Sequence, residues 1–407
     1  MSRPTVMDLD CTDARVLVRV DFNVPLDQDG HVLDDRRIRM ALPTIEHILK
    51  HNGIPVLMSH FGRPSGTGPE PDASLAPVAS RLGSLLGSKH PVHFIEGNCR
   101  GESVTSAVSQ AGIGEVVLLD NLRFDAGEKT NDPALSRDLA ALGDAYVNDA
   151  FGTAHRAHAS MVGVPQAMGD KPCVAGLLLA KELKFLSEAM EDPKRPFAAV
   201  LGGAKVSDKL GAIKHLLERV DLILVGGAMA YTFLQARGEL IGRSLCEQDM
   251  LETAQELMRT AESRGVDLLL PQDHMCAEAL AEGVTVRTCE IGIPEDLMGL
   301  DIGPETAAAW DQRLQKAATI VWNGPMGVFE QPPFDRGTTA IAKAIAHASK
   351  RHKAMSIVGG GETAAAVEQA GVAGRITHVS TGGGASLRML EGAVLPGIEA
   401  LDAGNPD

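Results

Sequence analysis

The sequence predicts an α/β protein of two doubly wound domains, each built on a parallel sheet and joined by a helix. Three observations carry this reading. Apolar runs that stop at glycine-rich turns are followed repeatedly by segments with helical spacing, which is the strand, turn and helix unit of parallel sheets. A length of 407 residues exceeds one comfortable core, so two domains or more are expected. The 43 glycines and the 3% aromatic content suit a glycine-turned α/β enzyme better than a β-sandwich or a coiled coil.

Charge and cysteine usage narrow the class. A formal net charge of -15 argues against a nucleic-acid or anionic-membrane partner, because both require a basic face. Any anionic ligand is then met by a local basic patch. The six cysteines are scattered with no CxxC pair, as expected of reduced thiols in a cytosolic protein with no disulfide and no thiolate metal site. MSRPTVMDLD contains no apolar signal segment, and the longest uncharged run, 222–236, is too short and too glycine-broken to span a bilayer. A cytoplasmic location is expected.

Taken in order, ARVLVRVDFNVPL, from Ala14, reads as a buried strand ending at Asp21, Phe22 and Asn23. DDRRIRMALPTIEHIL starts a helix near Asp34 and Asp35. Its Arg36, Arg37 and Arg39 form either a solvated basic face or part of a site. IPVLMSHFGRP is a strand running into a turn with His60 and Arg63, and SGTGPEPDAS is a loop by composition. EVVLLDNLRF places Asn121 and Arg123 just past a strand, and DAYVNDAFGTAHRAHAS places Asp149, His155, Arg156 and His158 past another. No carboxylate or cysteine stands at ligand spacing from His155 and His158, so an anion-facing loop is preferred to a metal site. Ligands of open α/β sheets bind at the carboxyl ends of strands. The first 160 residues therefore offer Asn23, Arg37, His60, Arg63, Arg123 and Arg156 to a small molecule carrying carboxylate and phosphate.

GLLLAKELKFLSEAME, residues 176–191, has helical spacing and runs into DPKRP, so residues 176–196 form the interdomain helix and linker. Beyond it, FAAVLGGAKVSDKLGAIKHLL reads as a strand, a Gly202-Gly203 turn and a helix with Lys205 and Lys209 on its first turns. The turn and helix end favour an anion such as a polyphosphate; the bland alternative is two exposed lysines with no ligand. DLILVGGAMAYTFL, ATIVWNGPMGVFE, AMSIVGGGETAAAVEQA and ITHVSTGGGASLRMLEG repeat the pattern, so five glycine turns are expected along one sheet edge. They are either phosphate-binding turns or packing glycines.

VRVDFNVP, SHFGRP, NLRF, NDAFGTAHRAHAS, LGGAKVSDK, GGAMAYTFL, VWNGPMGVFE and STGGGASL, in this order, make the chain resemble the phosphoglycerate kinases over essentially its whole length. None is a Walker A sequence. The resemblance implies Rossmann-like domains. Residues 1–175 would bind the triose phosphate, 197–390 the nucleotide, and 391–407 would form a tail returning to the N-terminal domain. It implies a Mg-dependent phosphotransferase of class EC 2.7.2.3, interconverting 1,3-bisphosphoglycerate and ADP with 3-phosphoglycerate and ATP in a cytoplasmic, monomeric, hinge-bending enzyme of glycolysis. It assigns Asp21, Phe22, Asn23, Arg37, His60, Phe61, Gly62, Arg63, Arg123 and Arg156 to the triose substrate. Gly203, Lys205, Lys209, Asn323, Glu330, Gly360, Gly361, Glu362 and Thr363 fall to the nucleotide, and Arg37, Lys205, Lys209, Gly361 and Gly384 to transfer. Glu362 stands where the family commonly has aspartate as the Mg2+ ligand, one methylene longer but still a competent oxygen donor. Phe61, Asp120 and Arg388 also depart from the family's usual residues. A non-catalytic binding protein of the same fold would be expected to lack Arg37, Lys205 or the carboxylate at 362, and all three are present. A nicotinamide dehydrogenase would need GxGxxG with an acidic residue about 20 positions on, and none is found.

Overall fold

A computed structural model describes residues 3–403 apart from residue 291. The described residues divide into two compact units, one drawn from Met1–Leu183 and Val394–Asp407, the other from Lys184–Ala393.

Unit 1 is organised by six strands: β1 (Arg15–Arg19), β2 (Ile54–Met58), β3 (Val92–Ile95), β4 (Val116–Leu119), β5 (Ala145–Asn148) and β6 (Cys173–Ala175). They lie in the order β3-β4-β2-β1-β5-β6, and every pairing is parallel. Val16, Val18, Leu57, Leu118 and Val147 are fully buried, which explains why these strands read as nearly continuous apolar runs. Strand β1 ends at Arg19, earlier than its sequence pattern predicts. Beyond it the Phe22 N–H goes to the Ser59 hydroxyl at 2.9 Å instead of a neighbouring strand, so Asp21 and Asn23 lie past the ladder. The chain leaves β1 for β2 on one side and later arrives at β5 on the other. That reversal opens a crevice at the carboxyl ends of β1 and β5.

The Leu177–Glu191 helix contains the division between the units. Its first turn is fastened within unit 1: the Leu177 N–H donates to Thr44 Oγ1 at 2.9 Å, and Leu178 and Leu179 donate to Asp149 Oδ1 at 2.9 and 3.1 Å. The Pro396–Ala403 helix belongs to unit 1 as well. Asn148 Nδ2 donates to the Gly397 carbonyl at 2.8 Å, and Arg3 pairs with Asp402 at 2.8 Å.

Unit 2 contains β7 (Phe197–Leu201), β8 (Leu222–Val225), β9 (Asp267–Leu269), β10 (Asp273–Ala277), β11 (Arg287–Glu290), β12 (Met298–Ile302), β13 (Thr319–Asn323), β14 (Met355–Gly359) and β15 (His378–Val379). Six form a parallel sheet in the order β15-β14-β13-β7-β8-β9, with the reversal between β7 and β13. The other three form an antiparallel sheet, β11-β10-β12, which the sequence reading did not anticipate. β11 is the polar stretch RTCE, largely exposed, so it carries no apolar alternation to betray it.

One local expectation is corrected. Lys205 and Lys209 do not lie on the first turns of an α-helix. The α-helix is Leu210–Leu216, preceded by a 3-10 turn, Ser207–Lys209, with Lys205 in the bend before it. The physical reason is Glu247, whose carboxylate accepts from the N–H groups of Val206 at 2.6 Å and Ser207 at 3.2 Å and from the Ser207 hydroxyl at 2.5 Å. A side chain from elsewhere in the unit therefore occupies the amides that the sequence reading offered to a ligand.

Candidate active site

The carboxyl ends of β1, β2, β4 and β5 bring the unit 1 residues together. Arg19, the last residue of β1, is fully buried. Its Nε donates to Ser160 Oγ at 2.8 Å, its Nη1 to the Val20 carbonyl, and its Nη2 lies 3.2 Å from His60 Nδ1. A guanidinium only donates, so His60 Nδ1 is the acceptor and the neutral ring carries its proton on Nε2. Burial, and then the charges of Arg19, Arg123, Arg156 and Arg37, hold His60 well below the ordinary histidine range. The imidazole is thus neutral at physiological pH, with four guanidiniums acting on it.

Those cations are under-compensated. Behind the cluster, fully buried Glu128 accepts from Ser160 N and Ser160 Oγ at 2.9 and 2.7 Å. Burial would raise its carboxyl, but His158, Arg19 and Ser160 outweigh that and keep it below the ordinary range. His158 Nδ1 lies 3.7 Å from Glu128 Oε1, a carboxylate 30 positions away in sequence that spacing did not reveal. In front, Arg37 Nη1 donates to Asp21 Oδ2 at 2.8 Å. Arg123 Nη1 donates to the Gly62 carbonyl at 2.5 Å, while its Nε is buried without a hydrogen-bond partner. Burial, with Arg156 and Arg19, lowers the Arg123 pKa from its ordinary value. An unpaired buried donor among like charges is a ready partner for an anion.

The remaining unit 1 residues set the frame. Asn121 Oδ1 accepts from Phe61 N and Arg123 N, both at 3.0 Å, tying the turn after β2 to the turn after β4. Asn23 Oδ1 accepts from Gly62 N at 2.9 Å; Gly62 has φ +56°, which favours glycine. The arginine run at the start of the Arg36–Lys50 helix separates cleanly. Arg36 lies 3.7 Å from Asp34, Arg39 pairs with Asp35 at 2.8 Å, and Arg37 turns to Asp21. Arg63 is exposed and is not among the charges acting on His60.

Unit 2 presents a site of different construction at the β7 and β13 reversal. A cavity of about 330 Å³ is lined by Gly203, Tyr231, Met298, Leu300 and Val328, with Glu330 and Glu362 also on its wall. The glycine turns divide into two kinds. A Cβ on Gly202 would come 2.1 Å from the Pro325 carbonyl, one on Gly227 2.5 Å from Gly203 N, and one on Gly324 2.2 Å from the Gly202 carbonyl. These pack the turns after β7, β8 and β13 against one another. Gly203 and Gly361 instead have nothing within 4 Å of a built Cβ, so their backbones face open space.

Helices Gly361–Gln369 and Gly383–Leu390 begin without a side-chain cap hydrogen bond, and a Cβ on Gly383 would lie 3.4 Å from Gly361 N. Two uncapped helix N-termini therefore abut, each with free amide character and a positive dipole end. Lys209 Nζ is hydrogen-bonded to Asn323 Oδ1 at the end of β13. Burial lowers its pKa, with the Glu362 charge opposing. Thr363 Oγ1 accepts from Gly324 N at 2.7 Å, and Gly360, at φ +98°, lies against Thr363 and Asn323. Lys205 is exposed near Glu247, whose carboxylate it helps keep charged.

Sequence reasoning missed Arg19, Glu128 and Ser160 in unit 1 and the apolar cavity wall in unit 2. A charged residue inside an otherwise buried strand was the available signal for Arg19. Nothing in the spacing marks Tyr231, Met298 and Val328, which come from separate elements.

A guanidinium cluster in one parallel-sheet unit, and abutting glycine helix starts beside an apolar cavity in the other, are each suited to an anionic ligand. The family model described as phosphoglycerate kinase matches residues 6–393. The chain is 51% identical over 405 residues to the phosphoglycerate kinase of Rhodopirellula baltica, covering 99% of this chain and 100% of the relative. It is 51% identical over 402 residues to that of Chloroflexus aurantiacus, covering 98% and 99%. Among solved structures it is similar to the phosphoglycerate kinases of Coxiella burnetii (TM-score 0.87, 39% identity, covering 98% of this chain and 99% of that one) and Pyrococcus horikoshii (TM-score 0.85, 33% identity, covering 99% of each). The chain belongs to the phosphoglycerate kinase family.

Proposed function

We propose that unit 1 binds 3-phosphoglycerate or 1,3-bisphosphoglycerate and unit 2 binds ADP or ATP with Mg2+, for reversible phosphoryl transfer between the acyl phosphate and the nucleotide. The observation that carries this reading is the set of four guanidiniums acting on a neutral His60, with the Arg123 Nε buried and unpartnered. A ligand with phosphate at one end and carboxylate at the other supplies the missing negative charge, and His60 Nε2–H adds a neutral donor. Asp21 and Asn23 hold Arg37 and Gly62 in place and leave the remaining donors for the ligand.

In unit 2 the apolar cavity accommodates a flat base, with Glu330 on its wall as a hydroxyl acceptor for the ribose. The amides of Gly361 and Gly384, in the first turns of the abutting helices, meet the phosphates, with Lys209 beside them. Glu362 fits a Mg2+ role as one exposed carboxylate on the cavity wall, since this ion keeps several waters and shares its remaining positions with phosphate oxygens. The bound ion would neutralise phosphate charge. In transfer, the ADP oxygen attacks the acyl phosphorus while the bond to the carboxylate oxygen breaks. The leaving carboxylate needs no proton, so no general acid is required. Arg37, Lys205, Lys209 and the two helix starts act by placing positive charge around the moving phosphoryl group.

The same reading takes residues 1–175 and 197–390 as the two binding domains, 176–196 as the hinge segment and 391–407, of which 404–407 lie outside the described residues, as a tail on the first. It takes the enzyme to be a monomer of the cytoplasm. Among the described residues, no helix is long and apolar enough to cross a membrane. The test is NADH loss in a coupled assay with 3-phosphoglycerate, ATP, Mg2+ and glyceraldehyde-3-phosphate dehydrogenase. Oxidation that depends on both substrates and on the metal is expected; a folded protein that binds 3-phosphoglycerate but supports no oxidation would overturn the reading.

A further inference from the structure

A second cavity in unit 2, about 530 Å³, lies between the Pro304–Leu314 helix, the Arg336–His352 helix and the antiparallel sheet. It shares no lining residue with the nucleotide cavity. Strand β12 separates the two, giving Met298 and Leu300 to one and Ile302 to the other. Its size is that of a small-molecule site, in the range of roughly 300–1,000 Å³.

The lining has two characters. Ile302, Ala340 and Ala344 make an apolar floor. Arg336, Lys343 and His347 fall at i, i+7 and i+11 of one helix, so they form a stripe along one rim. All three are exposed, and none has a side-chain hydrogen-bond or ion-pair partner among the described residues. The carboxylate in the cavity is Asp311, and its Oδ1 already accepts from Gln315 Nε2 at 2.7 Å. In a chain of net charge -15, a pocket whose rim carries two permanent cations against one engaged carboxylate is selective by charge. The floor is preformed: Asp301, buried beneath it, accepts from Gly337 N at 2.6 Å and Ile302 N at 2.9 Å, fixing the start of the helix to the end of β12.

We infer that this cavity is a second ligand site, separate from the active site, for a small organic anion with an apolar body: an aryl or short acyl group bearing a carboxylate, sulfonate or phosphate. The apolar part covers Ala340 and Ala344, and the anionic group sits at Lys343 and Arg336. Phosphate alone would leave the floor wet, and an uncharged aromatic would leave the cations unpaired.

The probe is anilinonaphthalene sulfonate, titrated by fluorescence into the full-length protein saturated with ADP. Saturable binding is expected, unchanged by ADP. Arg336→Glu with Lys343→Glu should weaken it at least tenfold, and Ala340→Phe should abolish it by filling the floor. Both variants should keep wild-type kinase activity and melting temperature, which shows that they are folded. An uncharged anilinonaphthalene should bind at least tenfold more weakly. Competition by ADP would return the dye to the nucleotide cavity, and equal binding by the charge-reversed variant or by the uncharged dye would remove the anion. Either result overturns the inference.

Discussion

The two candidate ligand sites offer positive charge to an anion by opposite means. Unit 1 uses long charged side chains, Arg19, Arg37, Arg123 and Arg156, collected around one neutral imidazole. Unit 2 uses backbone: glycine turns, two uncapped helix starts and a partly buried lysine beside an apolar cavity. A side-chain site is sensitive to lost charge and tolerant of small changes in shape. A backbone site is the reverse, because one added methyl group alters it while surface charges matter less.

The largest expected effect is on charge in unit 1. Arg37→Ala should lower kcat by about 10²–10³-fold, the usual loss on removing one transition-state donor, with little change in the KM for ADP. A kcat within twofold of wild type would remove Arg37 from transfer. Next, Gly324→Ala and Gly361→Ala separate the two kinds of glycine. At Gly324 the new Cβ meets the Gly202 carbonyl at 2.2 Å with φ +98°, so a stability loss of about 3 kcal/mol is expected. At Gly361 nothing lies within 4 Å, so the melting temperature should hold while the KM for ADP rises. If both variants melt alike, the distinction between packing and ligand-facing glycines fails. Arg63→Ala, at an exposed position, should weaken 3-phosphoglycerate by roughly tenfold, about 1.4 kcal/mol, and leave ADP binding unchanged by calorimetry.

A pH-dependent effect is expected at the start of the helix that contains the division between the units. Burial raises the Asp149 carboxyl from 3.8 to about 7, and its Oδ2 is buried without a partner. The folded value is above the unfolded one, so the protonated form is favoured in the fold. That stabilisation is fully present below pH about 4 and is lost as pH rises through about 7. Asp149→Asn stays neutral throughout. Its melting temperature relative to wild type should therefore climb between pH 4 and 7; a constant difference would refute the assignment.

Much of this was legible in the sequence because parallel strands bury both faces and end at ligand-binding turns. FAAVL and TIVWN became β7 and β13, with Gly202 and Gly324 at their carboxyl ends. The antiparallel sheet was illegible, since β11 has no apolar period. The lysine helix was misread because spacing cannot show that Glu247, far along the chain, would cap the Val206 and Ser207 amides. Arg36, Arg37 and Arg39 looked equivalent until Asp34, Asp35 and Asp21 took one each. Local pattern reports the elements, whereas the partner of a charged side chain is a long-range fact.

The assignment of the triose phosphate to unit 1 and of the nucleotide to unit 2 is tested most directly by calorimetry on the full-length protein, titrating 3-phosphoglycerate and ADP into wild type, Arg123→Ala and Lys209→Ala. Arg123→Ala should weaken only the triose phosphate, and Lys209→Ala only the nucleotide, each by tenfold or more. Equal loss of both ligands in a variant that melts like wild type would contradict the account.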